Sequence, residues 1–386
     1  MKQKLLAVAA LSTVGGTAYA QSSVTLYGVV DAPIEYVNEI ARGTPSVVNN
    51  QLVPQPGGKR FSIPTVGGLS APRWGLRGKE DLGGGLAAIF NLEGGFGLDT
   101  GVSTSGRLFG RQAMVGIQSQ YGRLTFGRQY TSIFEGFANF TPTRYAVLYE
   151  PIGWQLGLNY RSDNMVKYTG EFGPLSAAAH FSFGTGLGAI GSTPLANGGA
   201  GETPGSFRDN TGYGAALTYL GGAFGATLVY DEWNPAVTTG QPGKTRKFGG
   251  AVSYGTGPFK LMAGYRWNRT NFSNGNTFIR DDYWWAGANY QVTPALGLAL
   301  AYYYSDIKEA RLGLTAPPAN FSNPWQTTFI ADYNLSRRTD IYLTTAYARN
   351  AGLNFDSSPI SFATGYFPTA GQKGMFGVAV GVRHKF

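Results

Sequence analysis

The chain holds no cysteine and two histidines, so its resources for nucleophilic or metal chemistry are thin. His180 stands between Ser176 and Ser182 in an alternating run, and His384 lies two residues from the end. A hydrolase needs a serine, a histidine and an orienting carboxylate or amide within hydrogen-bond reach, and no local spacing arranges them. Cysteine-based zinc sites are excluded. Glycine runs such as Gly83-Gly84-Gly85 precede no helix, so they read as turns and not as phosphate cradles. The expectation is a protein that is not an enzyme and carries no cofactor. What remains is charge, with 31 Lys and Arg against 22 Asp and Glu. The basic residues are scattered singly through apolar alternation and form no run, which argues against a nucleic-acid partner. Their meaning depends on which face of their elements they occupy.

Those elements are strands. Only 14% of the residues are charged, where a soluble domain carries about 25%, and 43% are hydrophobic. No window after the N-terminus approaches the 18 or so apolar residues of a spanning helix. What recurs is period two. Phe259 to Trp267 puts Phe, Leu, Ala, Tyr and Trp on one side and Lys, Met, Gly and Arg on the other. Leu296 to Tyr304 does the same with small residues on its second face, and similar runs lie in Val24 to Val37, Leu175 to Phe183, Tyr213 to Tyr219, Phe224 to Trp233, Phe248 to Tyr254, Ile341 to Tyr347 and Phe376 to Phe386.

Connections alternate in length. Seven are tight turns rich in Gly, Pro or polar residues, among them Leu220-Gly221-Gly222 and Val292-Thr293-Pro294. Between them lie eight longer stretches, near 38 to 70, 97 to 106, 131 to 158, 184 to 210, 234 to 246, 270 to 280, 307 to 323 and 350 to 373. Short turns on one rim and long loops on the other predict an all-β fold, a 16-stranded antiparallel transmembrane β-barrel. On a soluble sandwich the second face would be rich in Lys, Glu and Asp; here it is largely Gly, Ala, Ser and Thr. Tyr254, Trp233, Tyr290, Tyr304, Tyr333 and Phe386 are read as outward aromatics near strand ends. The first twenty residues, with Lys2 and Lys4, an apolar run from Leu5 to Leu11 and Ala18-Tyr19-Ala20, have the form of a secretory signal, leaving 21–386 as one barrel domain.

Counting by parity sorts the charges. Trp74 and Leu76 face out, so Arg73, Arg77 and Lys79 face in; Val166 and Tyr168 face out, so Arg161, Asp163 and Lys167 face in. Lys247, Lys260, Arg266, Arg383 and Lys385 fall inward by the same count, as does Asp31 on the first strand. The lumen is expected to be basic.

The start Ser23-Val24-Thr25-Leu26-Tyr27-Gly28, the stretch Arg73 to Gly83, the segment ending in Gly127-Arg128-Gln129 and the terminal Phe386 resemble the general trimeric porins of Gram-negative outer membranes, the betaproteobacterial branch most of all. The resemblance covers the mature chain. It implies an integral outer-membrane homotrimer among membrane lipid and lipopolysaccharide, a third loop folded into the lumen, and passive diffusion of small anions and hydrophilic solutes. It also implies that Phe386 belongs to the signal read by the outer-membrane assembly machinery. By resemblance, Arg73, Arg128 and Arg161 match the family's arginine cluster on the pore wall; Arg128 breaks the alternation and needs a bulge near Gly127 to turn inward. Opposing charge is expected from 131–158, where the carboxylates are Glu135 and Glu150, with Glu135 preferred, and from Asp31. The family's additional basic wall position is Val29 here, so the expectation is weak anion selectivity. The aromatics Phe134, Phe137, Phe140, Tyr145, Tyr149 and Trp154 are expected to pack the third loop against the wall. Arg111 shares the parity of Ala113, Val115 and Ile117 and is read as facing a neighbouring subunit near a latching loop 97–106.

Overall fold

The computed structural model describes residues 23–49, 51–187, 202, 204–235, 242–356 and 365–386; the expected signal at 1–20 lies outside the described residues, as do parts of the long stretches at 184–210, 234–246 and 350–373. Alternation is realised as strands: β1 (Ser23–Ala41), β2 (Ser46–Val48), β3 (Gln51–Val53), β4 (Gly57–Ser62), β5 (Arg73–Gly83), β6 (Leu86–Gly95), β7 (Gln112–Ser119), β8 (Gly122–Tyr130), β9 (Arg161–Phe172), β10 (Leu175–Ser182), β11 (Thr211–Gly221), β12 (Phe224–Asn234), β13 (Pro242–Thr256), β14 (Phe259–Phe272), β15 (Thr277–Gln291), β16 (Leu296–Ala310), β17 (Trp325–Asn334), β18 (Thr339–Arg349) and β19 (Gly374–Lys385). Each neighbour in the ladder is antiparallel, and the ladder closes where β1 pairs with β19. β4 and β5 take turns on one edge of β1, β4 along Glu35 to Ala41 and β5 along Ser23 to Val29, so together they make one stave. The closed antiparallel barrel thus has sixteen staves, as the sequence predicts, and β2 and β3 form a separate hairpin. Closure leaves no unpaired edge, the condition for strands to cross a bilayer.

The two faces differ as the period demands. Leu261, Trp284 and Val380 are 54%, 50% and 59% exposed, while their neighbours Met262, Trp285 and Ala379 are buried. The exposed face is mainly apolar; Asp31, Asp163, Lys167, Lys247, Arg266, Thr227, Thr328 and Thr344 lie on the buried one. One expected girdle residue is on the wrong side of that division. Trp233 is buried, because Phe224, Ala226 and Leu228 set the exposed parity of β12 and Trp233 has the other. The stretch 270–280 is no long loop either: β14 and β15 run to Phe272 and Thr277, and Phe272 N–H donates to Asn276 O across a turn with Gly275 at φ +86°.

Segment 131–160, the third long connection, packs on the buried face. It contains helical turns at Ser132–Phe137 and Ile152–Leu156. Phe137 meets Trp285 edge-on at 4.9 Å, Trp285 Nε1 donates to Phe140 O at 2.8 Å, and Trp154 Nε1 donates to Ser305 Oγ at 2.9 Å and Asp281 at 3.0 Å. Gln326 and Thr328 donate to Tyr149 O. Phe137, Phe140, Tyr149 and Trp154 therefore pack the segment against the strands, whereas Phe134 and Tyr145 border a cavity. The break between β4 and β5, residues 63–72, also turns to this face, where Leu69 packs with Ala146, Ile330 and Tyr342.

Candidate pore constriction

Between these two inserted segments lies a cavity of about 190 Å³ bounded by Arg73, Arg111, Arg161, Arg144, Tyr130 and Ser70, among others. A second, of about 570 Å³, opens toward the short-turn end beside Lys260, Asn289, Asp332, Arg383 and Lys385. Leu69, Ser70 and Arg144 line both, so residues of the two inserted segments stand at the boundary between the cavities. Of the charged residues lining the pair, seven are basic and one, Asp332, is acidic.

The arginines are held by an aromatic stack. Arg161 Nη2 donates to Tyr130 Oη at 2.8 Å and Arg111 Nη2 donates to the same oxygen at 3.0 Å. Phe134 stacks on Tyr130 at 3.9 Å and on Tyr145 at 4.6 Å. Behind them, Glu93 receives Arg111 Nε at 2.7 Å, stands 3.6 Å from Arg73 Nε and accepts from Tyr27 Oη. One carboxylate thus serves two guanidiniums from beneath, leaving a net positive surface toward the cavity.

Other expected site residues sit elsewhere. Arg128 does not join the row. Gly127 has φ +112° and the β8–β9 register shifts beside it, so the bulge is present, but it delivers Arg128 to Asp163 at 2.7 Å, where Arg107 also binds at 2.7 Å. Glu135 does not face the arginines; it pairs with Lys167 at 2.6 Å. Asp31 is a fastener: it accepts from Ser70 N–H at 2.7 Å, Gly68 N–H at 3.3 Å and the Tyr342 hydroxyl. Lys247 is sealed against Asp231 at 3.1 Å and Arg266 against Asp281 at 2.9 Å. Arg383 reaches both cavity and protein, 3.0 Å from Asp340 and from Asp332. Arg77 and Lys79 lie on the exposed stretch of β5 near the short turn, Arg77 over the Tyr27 ring, and Lys260 donates to Asn139 O. Arg111 turns to Glu93 and not away from the barrel, contrary to its parity with Ala113.

Glu150 lies in the inserted segment, wholly enclosed, accepting from Thr143 Oγ1 at 2.5 Å and Ala146 N–H at 3.1 Å. Burial pushes its carboxyl up to about 7, although those hydrogen bonds pull the other way. His180 accepts from Ser132 N–H at 3.1 Å and contacts Ser132 Oγ at 2.9 Å, with Asp231 at 4.0 Å from its other nitrogen. The trio resembles a triad in composition, but all three are buried and Asp231 is engaged with Lys247 and Asn159. His180 anchors the start of the inserted segment to the wall.

Comparison with known proteins agrees with this architecture. An outer membrane porin protein of Bordetella pertussis is 30% identical over 430 residues, with all of both chains covered, and outer membrane porin protein 32 of Delftia acidovorans is 30% identical over 400 residues with the same coverage. Among solved structures, the anion-selective porin from Comamonas acidovorans superposes with a TM-score of 0.71 at 24% identity, covering 95% of this chain and 100% of that one. The trimer form of OmpT from Vibrio cholerae gives 0.63 at 14% identity, covering 95% and 99%. A family model described as Gram-negative porin matches residues 7–353. With its closed sixteen-stave barrel and apolar exterior, this chain belongs to the Gram-negative porin family, channel proteins integral to the outer membrane.

Proposed function

We propose that the chain forms a general diffusion channel with a weak preference for anions, narrowed where segment 131–160 and residues 63–72 meet inside the barrel. The observation that carries this reading is the seven-to-one excess of basic residues along the two adjacent cavities. A basic lining in a narrow, low-dielectric passage lowers the entry cost for anions and raises it for cations. The preference is weak because Glu93 offsets part of the arginine charge and because Val29 adds none. Solutes are small and hydrophilic, consistent with a neck bordered by Ser70 and Arg144. The trimer form recorded for OmpT of Vibrio cholerae supports a homotrimer here. Phe386 exchanges backbone hydrogen bonds with Gly28 at 3.0 and 3.1 Å, a position that suits a terminal assembly signal joining the last strand to the first.

The test is a reversal-potential measurement in planar bilayers under a salt gradient. Replacing Arg73 and Arg161 with Ser lowers the anion-to-cation permeability ratio; an unchanged ratio removes them from the selective surface. A protein that migrates as a monomer after mild extraction counts against the trimer.

A further inference from the structure

Besides its arginines, the cavity of about 190 Å³ has an apolar lining, supplied by Phe134, Tyr145, Val147 and Ile152 of segment 131–160 and by Leu69 of the other inserted segment. The rings form a column. Arg161 lies 4.6 Å over Tyr130, Tyr130 stacks on Phe134 at 3.9 Å, Phe134 stacks on Tyr145 at 4.6 Å, and Tyr160 stands 6.1 Å from Phe134. Phe137, Phe140, Tyr149 and Trp154 already fix the segment to the wall, so packing alone does not call for this second aromatic group. All four rings of the column are only partly buried, and all four border the cavity.

The backbone is bent where the column ends. Arg144 and Tyr145 take φ +57° and +58°, two successive residues with side chains in the left-handed region, a conformation that persists only where the surroundings impose it. Tyr145 Oη donates to Phe134 O at 2.9 Å and Arg144 N–H donates to Thr141 O at 3.1 Å, which hold the bend. The exposed Arg144 side chain has no hydrogen-bond or ion-pair partner among the described residues. The wall arginines also keep donors in hand. Arg111 gives Nε to Glu93 and Nη2 to Tyr130, and Arg73 gives Nη1 to Ala71 O, so Arg111 Nη1 and Arg73 Nη2 stay without a partner among the described residues. One small cavity thus joins stacked rings to unspent guanidinium donors.

We propose that this cavity is a subsite for aromatic carboxylates, with the solute's ring along the Phe134–Tyr145 end of the column and its carboxylate on Arg144, Arg73 and Arg111. A planar carboxylate accepts from guanidinium forks in pairs, and a flat ring meets other rings with an attraction beyond the area it buries. A water needs roughly 10–15 Å³ of such space, so about 190 Å³ admits a solute of one ring. In a channel such a subsite has to bind weakly enough to release what it takes in. The proposal rests on the reading that the two cavities belong to the conducting route, and it adds a choice among anions that basic charge alone does not make. Charge treats benzoate and cyclohexanecarboxylate alike; the aromatic column does not.

The test records single-channel chloride currents in planar bilayers while benzoate, cyclohexanecarboxylate, acetate or benzyl alcohol is added. Benzoate reduces the current saturably. Cyclohexanecarboxylate, with the same charge and nearly the same size, blocks about fivefold more weakly, and acetate and benzyl alcohol, which lack the ring or the charge, more weakly still. Phe134→Leu brings benzoate down to the level of cyclohexanecarboxylate, whereas a merely structural role for the ring would weaken both acids by the same factor. Arg144→Gln weakens both acids about tenfold. Absence of saturable block by benzoate overturns the proposal, and so does equal block by the two acids in the wild-type protein. A fivefold difference that survives Phe134→Leu, or an unchanged block in Arg144→Gln, overturns the assignment to this cavity. If Phe134→Leu does not fold, the comparison of solutes on the wild-type protein and Arg144→Gln still decide. Reversal potentials in potassium chloride separate the two readings: an anion preference without discrimination between the acids removes this subsite alone, and selective benzoate block without an anion preference removes the charge reading alone.

Discussion

Arg161 and Tyr130 meet on the last rung of the β8–β9 ladder, with Nη2 2.8 Å from the phenol oxygen and the guanidinium carbon 4.6 Å above the ring. The same oxygen takes a hydrogen bond from Arg111, so one phenol holds two cations that would otherwise repel across the cavity. Hydrogen bonds to charged groups contribute about 1.5–3 kcal/mol. Tyr130→Phe keeps the ring and its stacking on Phe134 but removes both acceptor contacts. It is expected to destabilise the protein by about 2–4 kcal/mol, read as a lower midpoint in urea unfolding monitored by gel mobility. A midpoint within error of the wild type would show that the oxygen is dispensable.

Glu93 is the counterweight of the arginine group, receiving Arg111 at 2.7 Å with Arg73 nearby. Glu93→Gln preserves shape and removes the charge. The anion-to-cation permeability ratio should rise, in the opposite direction to the arginine replacements. A fall, or no change, would show that the field at the neck is set by other groups.

The enclosed Glu150 gives the inserted segment a pH dependence with a definite sign. Its carboxyl is raised to about 7 from an ordinary 4.5, so between these values the native state keeps a proton that the unfolded chain has released. Stability therefore falls as pH climbs through that window and levels off above it, by up to about 3 kcal/mol from this group. Glu150→Gln should flatten this part of the profile, which thermal unfolding at pH 5 and pH 8 can check. An equally steep fall in the variant would assign the effect to another residue.

Asp31 fixes the neck from the wall side, binding the backbone of Gly68 and Ser70 and the Tyr342 hydroxyl. Asp31→Ala leaves two amide donors without their acceptor in the segment that carries Leu69 and Ser70. Single-channel records should then show a changed conductance with greater open-channel noise while the barrel stays folded. Traces as quiet as the wild type would mean that the packing of Leu69 suffices.

The barrel was largely legible in the sequence because period two and turn chemistry are local: Phe259 to Trp267 fixes its own faces, and Gly-rich turns mark their own rim. The charged site was legible only in part. Parity placed Arg73 and Arg161 on the cavity side, but it says nothing of partners, and Lys247 and Arg266 turned out to be sealed by Asp231 and Asp281 under the inserted segment. Replacing either basic partner should cost about 3–5 kcal/mol without shifting ion preference. Arg111 escapes strand alternation because it precedes β7, which begins at Gln112. Glu93 was available by the same count that gave Arg77, since Gly75 and Glu93 are register partners, yet pairing across strands is not written in either strand alone. For Trp233, parity within β12 outweighs its place near the strand end.

The break in the second stave separates two jobs that a continuous strand would combine. Hydrogen-bond registry belongs to β4 and β5, while the residues between them project toward the passage and answer to Asp31, Tyr342 and Leu148. Calibre can consequently be altered by exchanging side chains in one short detour, leaving every rung of the cylinder as it was.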